Sequence, residues 1–168
     1  MDVSIRRAAQ RDFEGLCALY AEVDALHRDA VPGVFRVPDG PPRTRAFISG
    51  IIADENAALL VAESKGRVVG LVCARIRQSP DIPILTPRRL ARIEEIVVSG
   101  SAQRQGIGCA LLNGAGQWAL GKGVNQIELT VWEFNKAGIA FYEKQGFTTA
   151  CRTMWRPLQQ EIRLERGV

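Results

Sequence analysis

Apolar residues recur along this chain at two spacings, and the changes between them mark out its elements. Val3, Ile5 and Arg7 alternate with polar or small neighbours as a short edge strand does, and Asp12 then opens a helical stripe of Leu16, Leu19, Tyr20 and Val23. Prolines and glycines interrupt any period between Val31 and Arg45, and helical spacing resumes from Arg43 to Ala53 at Phe47, Ile48, Ile51 and Ile52. Two β-rich runs, Ala57 to Glu63 and Val68 to Arg75, are joined by Ser64-Lys65-Gly66-Arg67, which predicts a hairpin. A proline-broken loop from Gln78 to Pro87 leads to a mostly buried fourth strand, Arg92 to Val98. Ile107, Leu111, Gly114 and Trp118 then stripe a helix that ends near Gly121 to Gly123, and Ile127, Leu129 and Val131 mark a fifth strand. Strand, helix and strand in succession imply a parallel crossover. Asn135 can cap a further helix closed by Gly146, Phe147 to Leu158 reads as one or two last strands, and 159–168 reads as a tail.

The pattern is that of a mixed α/β (α+β) protein, and 168 residues suit one domain, 1–168, with an ordinary buried core. The four cysteines are widely spaced, no Cys-x-x-Cys pair occurs and there is one histidine, so no metal site is expected. The first residues lack the apolar core of a secretory signal and no apolar run is long enough to span a bilayer, which points to a reducing cytoplasm and no membrane partner. A net charge of +4 suits any phosphorylated partner. The arginines are scattered, without the dense basic tract of a nucleic-acid surface, so a local phosphate site is favoured and no nucleic-acid partner is expected.

That phosphate site has a candidate in Gln103-Arg104-Gln105-Gly106-Ile107-Gly108, between the fourth strand and the helix that follows it. Two glycines remove Cβ atoms where backbone must approach a ligand, and the first N–H groups of a helix have no intrahelical partner, so the loop can cradle a diphosphate. No Lys-Ser/Thr pair follows Gly108, which excludes a P-loop, and Leu111 stands where a dinucleotide fingerprint needs Gly or Ala. The loop does match the Gln/Arg-x-x-Gly-x-Gly/Ala pattern of the GCN5-related N-acetyltransferase (GNAT) family at Gln103, Gly106 and Gly108. A second block, Val131-Trp132-Glu133-Phe134-Asn135 through Phe141-Tyr142-Glu143-Lys144-Gln145-Gly146-Phe147, resembles that family's Asn and Phe-Tyr-x-x-x-Gly-Phe signature. The chain thus resembles this family firmly from about Glu94 to Phe147, and less so over its first half, where substrate choice is usually decided.

The resemblance implies a mixed sheet of six to seven strands flanked by about four helices, with central strands four and five splayed apart. It places a cofactor-binding core at about 57–147 and substrate-side helices and loop at about 10–55. Acetyl-CoA would be the co-substrate: its pantetheine arm would pair with backbone groups of Ile96 and Val98, and the N–H groups of Gln103, Arg104, Gln105, Gly106, Ile107 and Gly108 would hold the diphosphate. Asn135 would lie near the pantetheine arm, although its own position also suits an ordinary N-cap. Tyr142 would act as general acid on the departing thiolate.

An alkylammonium, with pKa near 10.4, must lose a proton before it attacks a thioester, so a base is required. Glu94 and Glu95 are the candidates on the fourth strand: Ile93-Glu94-Glu95-Ile96 resembles the acidic pair of diamine acetyltransferases, which implies Glu94 as the base and Glu95 as the holder of substrate charge. Successive strand residues point to opposite faces, so both can serve one site only if a bulge or a loop-side partner intervenes. The competing reading is one exposed acid and one paired with Arg89 or Arg92. His27, the single histidine, ends helix one before the proline-rich loop and is either a substrate contact or a residue bonded to the last helix carbonyls. Cys109 falls in a small-residue helix start and is not needed as a nucleophile. The function expected is transfer of an acetyl group to a primary amine by direct attack, the two acids pointing to a small cationic acceptor. The alternatives are acetylation of a protein N-terminus or lysine, and a non-catalytic acyl-CoA sensor. Edge strands at the C-terminus leave room for a homodimer.

Overall fold

The computed structural model describes residues 3–156, and by backbone contact the chain forms two compact units, the first ending at Phe134 and the second beginning at Asn135. The first unit is built on five strands, β1 (Val3–Arg7), β2 (Ala57–Ser64), β3 (Arg67–Gln78), β4 (Arg89–Val98) and β5 (Ile127–Leu129). They lie side by side in chain order, antiparallel from β1 to β4, with β5 parallel to β4. Between them run α1 (Phe13–Ala30), α2 (Arg45–Ala53) and α3 (Ile107–Gly121), the last being the crossover from β4 to β5.

The sheet is a filled layer because its two faces bury different sets of side chains. Leu16, Leu19 and Tyr20 of α1 and Ile48 and Ile51 of α2 pack with Leu59, Val61, Leu71, Cys73 and Val97 on one face. On the other face α3 approaches closely, since a Cβ added at Gly70 would come within 3.0 Å of Leu111. Ala119, Val124, Trp118, Ile76, Ala91 and Ile127 continue that layer toward the end of the helix. The hairpin turns through Lys65 and Gly66, both left-handed, and α2 begins at a Thr44 cap that accepts the Phe47 N–H.

In the second unit α4 (Lys136–Lys144) starts at Asn135, whose side chain accepts the Gly138 N–H at 2.8 Å, and is followed by the left-handed Gly146. No helix among the described residues is long and apolar enough to cross a membrane.

Two expectations need correction. The sheet has five strands where six to seven were expected: 147–156 forms no strand, and 157–158 lies outside the described residues. Thr148, Thr149 and Thr153 carry β propensity, but 148–156 is exposed throughout, so no buried face exists to fix a pairing register. The C-terminal edge strands that left room for a homodimer are therefore not formed by described residues. The fifth strand ends at Leu129 rather than Val131, for a reason that lies in β4.

Candidate active site

β4 pairs with β3 along its length, but Cys73 faces Glu95 while Ala74 faces Ile93, so Glu94 is the extra residue of a bulge. Arg92 and Glu94 share a face by ordinary alternation, and the inserted residue brings Glu95, opposite Cys73, onto that same face. Both carboxylates consequently line one cavity of about 290 Å³, together with Tyr20, Arg43, Phe47 and Cys73.

The bulge also reverses which backbone groups face which neighbour. Before it, the Ala91 N–H donates toward β5, to Gln126 at 2.9 Å; after it, the Ser99 N–H donates toward β3, to Val69 at 3.0 Å. Because alternate residues address opposite edges, Val97 turns to β3 while Ile96 and Val98 turn to the other side. There β5 has already stopped, its last partner being Ile93 opposite Leu129. The β4–β5 ladder ends one residue short of the bulged Glu94, and the backbone of Ile96 and Val98 is left without a β5 partner. The Val98 carbonyl accepts the Gln103 side-chain amide at 3.1 Å, which ties that edge to the loop beyond it.

In that loop Arg104 and Gly106 are left-handed, with φ of 60° and 78°, and Gly106 caps α3. Left-handed geometry is cheap for glycine and costly for arginine, so the turn holds Arg104 in a sparsely populated conformation. The Ala110 N–H closes on the Gly106 carbonyl, whereas no N–H from Arg104 to Cys109 donates to a backbone carbonyl among the described residues. Six consecutive N–H groups at a helix start are thus left open to an outside acceptor.

Arginines engage both acids. Glu94 binds Arg75 at 2.9 Å and also Arg77, and Arg75 binds Asp54 as well. Glu95 binds Arg43 at 3.0 Å, and Arg43 also binds Asp24 at 2.9 Å and lies over the Tyr20 ring at 4.6 Å. Burial raises the Glu95 carboxyl above its ordinary value, a shift that Arg43 opposes and, less strongly, the Tyr20 hydroxyl. Beneath the pair, burial pushes the Cys73 thiol up to about 12, so that sulfur is no nucleophile near neutrality.

His27 does not line this cavity. Its Nδ1 donates to the Val23 carbonyl at 2.8 Å, one helical turn back, and its ring packs on Phe35 and Phe134, with Trp132 against both of those rings. Arg92 pairs with Glu128 at 3.0 Å and Thr130 at 2.9 Å, and Arg89 with the Lys122 carbonyl, so neither pairs with the acids. In the second unit Tyr142 packs edge-on against Phe141 and Phe147, and burial raises its phenol. Sequence reasoning missed Tyr20, Asp24 and Arg43. Arg43 meets its partners 19 and 52 residues away, and no local pattern announces such contacts.

The model of a family described as Acetyltransferase (GNAT) matches residues 6–147. An uncharacterised N-acetyltransferase of Methanocaldococcus jannaschii is 32% identical over 103 residues, a match covering 61% of this chain and 44% of that relative, so the chain spans less than half of it. An aminoglycoside N(6')-acetyltransferase type 1 of Klebsiella aerogenes is 31% identical over 102 residues, covering 61% and 66% of the two chains. The crystal structure of a mutant BH1408 protein from Bacillus halodurans is similar in fold, with a TM-score of 0.87 at 24% identity over 93% of this chain and 99% of that one.

Proposed function

The chain belongs to the GNAT acetyltransferase family, and on that premise we propose that it moves an acetyl group from acetyl-CoA to the primary amine of a small molecule by direct attack. One observation carries the proposal: the β4 bulge sets two carboxylates on one cavity immediately beside the strand's open edge. The pantetheine arm would pair with Ile96 and Val98, and the N–H groups from Gln103 to Gly108 would take the diphosphate, with Asn135 serving the arm as well as its helix. The resemblance to an aminoglycoside acetyltransferase favours a small-molecule amine as acceptor over a protein terminus or lysine.

We assign the base role to Glu95 rather than Glu94, reversing the order that the diamine-acetyltransferase resemblance implied. Glu94 is held by two arginines, whereas burial raises the Glu95 carboxyl above its ordinary value, toward the amine whose proton it must take. The acceptor arrives as an ammonium, displaces Arg43 from Glu95 and gives up a proton to that carboxylate. The neutral nitrogen attacks the thioester carbon, and collapse expels the thiolate. Tyr142, whose raised phenol stays protonated through the neutral range, is proposed to supply the thiol proton, and the second proton of the attacking nitrogen, released to solvent as the amide forms, balances the one that the phenolate takes back.

Acetyl-CoA and a panel of amines, with released thiol as the readout, test this reading. Acceptor-dependent thiol release is expected. Tight acetyl-CoA binding with no release for any amine would favour the sensor instead.

A further inference from the structure

The face that holds the two acids continues toward the start of β4, where the ladder pairs Arg75 with Arg92 and Arg77 with Leu90. There a second cavity of about 360 Å³ is lined by three arginines, Arg77, Arg88 and Arg92, and by a single acid, Glu128. Ser79 also lines it: its N–H donates to the Arg88 carbonyl and its hydroxyl accepts the Arg88 N–H, both at 2.8 Å, pinning the two ends of the 79–88 loop. The Arg88 side chain itself has no hydrogen bond or ion pair among the described residues. Arg77 spends one donor atom on Glu94, and Arg92 spends two on Glu128 and Thr130. A guanidinium carries five N–H donors, so most of the donor capacity around this cavity is uncommitted.

Position separates this cavity from the diphosphate cradle. The loop at Gln103 to Gly108 follows the last residue of β4, and the arginines surround its first ones; at about 3.3 Å per residue the ten-residue strand β4 keeps the two regions roughly 30 Å apart. Glu94 joins the arginine cavity to the acid-lined one, because its carboxylate lines the latter and binds Arg77 of the former.

We propose that the arginine cavity is an acceptor subsite for an acidic group, a carboxylate or a phosphate, carried on the same molecule as the amine. This rests on the acetyl-transfer reading above. The amine stands at Glu94 and Glu95, and its acid reaches Arg88, Arg77 and Arg92. Two positions of β4 separate Glu94 from Arg92, four from the partner of Arg77 and six from Arg88, roughly 7–20 Å, so the preferred acceptor has several bonds between amine and acid. The arginines then serve specificity, and the chemistry at Glu95 is indifferent to them.

The test compares three acceptors of equal chain length: a plain alkylamine, an ω-aminocarboxylate and an ω-aminoalkyl phosphate. For the acid-bearing compounds kcat/KM should exceed that of the alkylamine by about tenfold or more, the worth of one or two charge-assisted bonds, and the better of the two identifies the acid. Arg88→Gln should erase most of that preference by raising KM, and Arg88→Glu should invert it, while both variants keep the alkylamine rate and acetyl-CoA affinity of the parent. Equal efficiency for all three compounds, or a preference that survives Arg88→Glu, overturns the inference even though acetyl transfer stands. If no amine releases thiol, the acetyl-transfer reading fails instead. Calorimetry with the ω-aminocarboxylate then decides this one: binding lost in Arg88→Gln supports it, and no binding to the parent refutes it.

Discussion

Two arginine–carboxylate clusters in the first unit have similar parts and opposite consequences. At the start of α1, Arg6 grips Asp12 with both ends of its fork, at 2.7 and 2.8 Å, while the Ala9 N–H donates to the same carboxylate at 2.7 Å and Arg6 also reaches Glu63. These bonds, that from Arg6 foremost, hold the Asp12 carboxyl below its ordinary value. At the cavity, Arg43 meets Glu95 through one contact, and the carboxyl is raised. Exposure does not order the two: the Asp12 side chain is 4% exposed and that of Glu95 31%. What differs is compensation. Asp12 receives three donors for the water it has lost, whereas Glu95 stands mid-sheet beside Cys73 with the Tyr20 hydroxyl and an arginine that divides its fork between two acids. A fully compensated carboxylate stabilises the fold, and an under-compensated one is a base waiting for a proton.

The comparison is sharpest if each acid is removed in turn. Glu95→Gln keeps the shape and removes the base, so kcat should fall by roughly 100- to 1000-fold. The melting temperature should hold or rise, because a charge that lacked compensation is gone. Steady-state kinetics beside a thermal melt reads both, and a near-parental rate would return the base role to Glu94. Asp12→Ala is the mirror case. It strands part of the Arg6 charge and leaves the Ala9 N–H without its acceptor, at a cost of about 3 kcal/mol, the low end for a broken buried pair because Glu63 remains. A domain of this size should then melt about 6–12 °C lower, with unchanged turnover per folded molecule. Loss of activity without loss of stability would show that Asp12 belongs to the site.

This division was only partly legible in the chain. The hairpin, the glycine loop and α3 follow from local signals, namely turn residues, a left-handed glycine and a 3.6-residue stripe, which act within a few residues and need no partner. The bulge left a fainter trace: Ile93 and Ile96 stand three apart around two acids, a skipped beat in a strand that should alternate by two. Register belongs to a pair of strands, so that trace alone named neither the bulged residue nor the face each glutamate takes. Arg43 left no trace at all, since its meaning depends on Asp24 and Glu95 arriving from other elements. The threonine-rich stretch after Phe147 misled for the converse reason, because its propensity pointed to a strand for which the described residues supply no partner.

A pH series separates the clusters without any substitution. Glu95 must be ionised to accept a proton, so kcat should fall about tenfold per pH unit below its raised pKa. Stability runs the other way over that range. A raised carboxyl binds its proton in the folded state first, so the fold gains as pH drops through the folded pKa of Glu95 toward the unfolded value near 4.3. Asp12 reverses the sign: its contribution is present above the unfolded value of about 3.9 and is lost as pH falls through its lower folded pKa. Activity should therefore disappear while the protein is fully folded, with acid unfolding only at lower pH. Coincident loss of rate and of structure would remove the contrast.

The smallest expected effect supplies the control. Arg45 and Glu14 also form an ion pair, at 2.7 Å, as short as the contact between Arg6 and Asp12, but their side chains are 63% and 79% exposed. If contact distance set the value of a pair, Glu14→Gln would cost as much as Asp12→Ala. Water already solvates both partners, however, so the pair exchanges one good environment for another and should be worth at most about 0.5 kcal/mol. Arg45 also keeps its place over the Phe13 ring, 4.2 Å from the centroid, when the glutamate is neutralised. The melting temperature of Glu14→Gln should accordingly stay within about 2 °C of the parent, and it should lose even that difference in high salt, where exposed pairs are screened. A drop approaching that of Asp12→Ala, persisting in salt, would mean that compensation by donors is not what distinguishes these clusters, and the reason for placing the base at Glu95 would go with it.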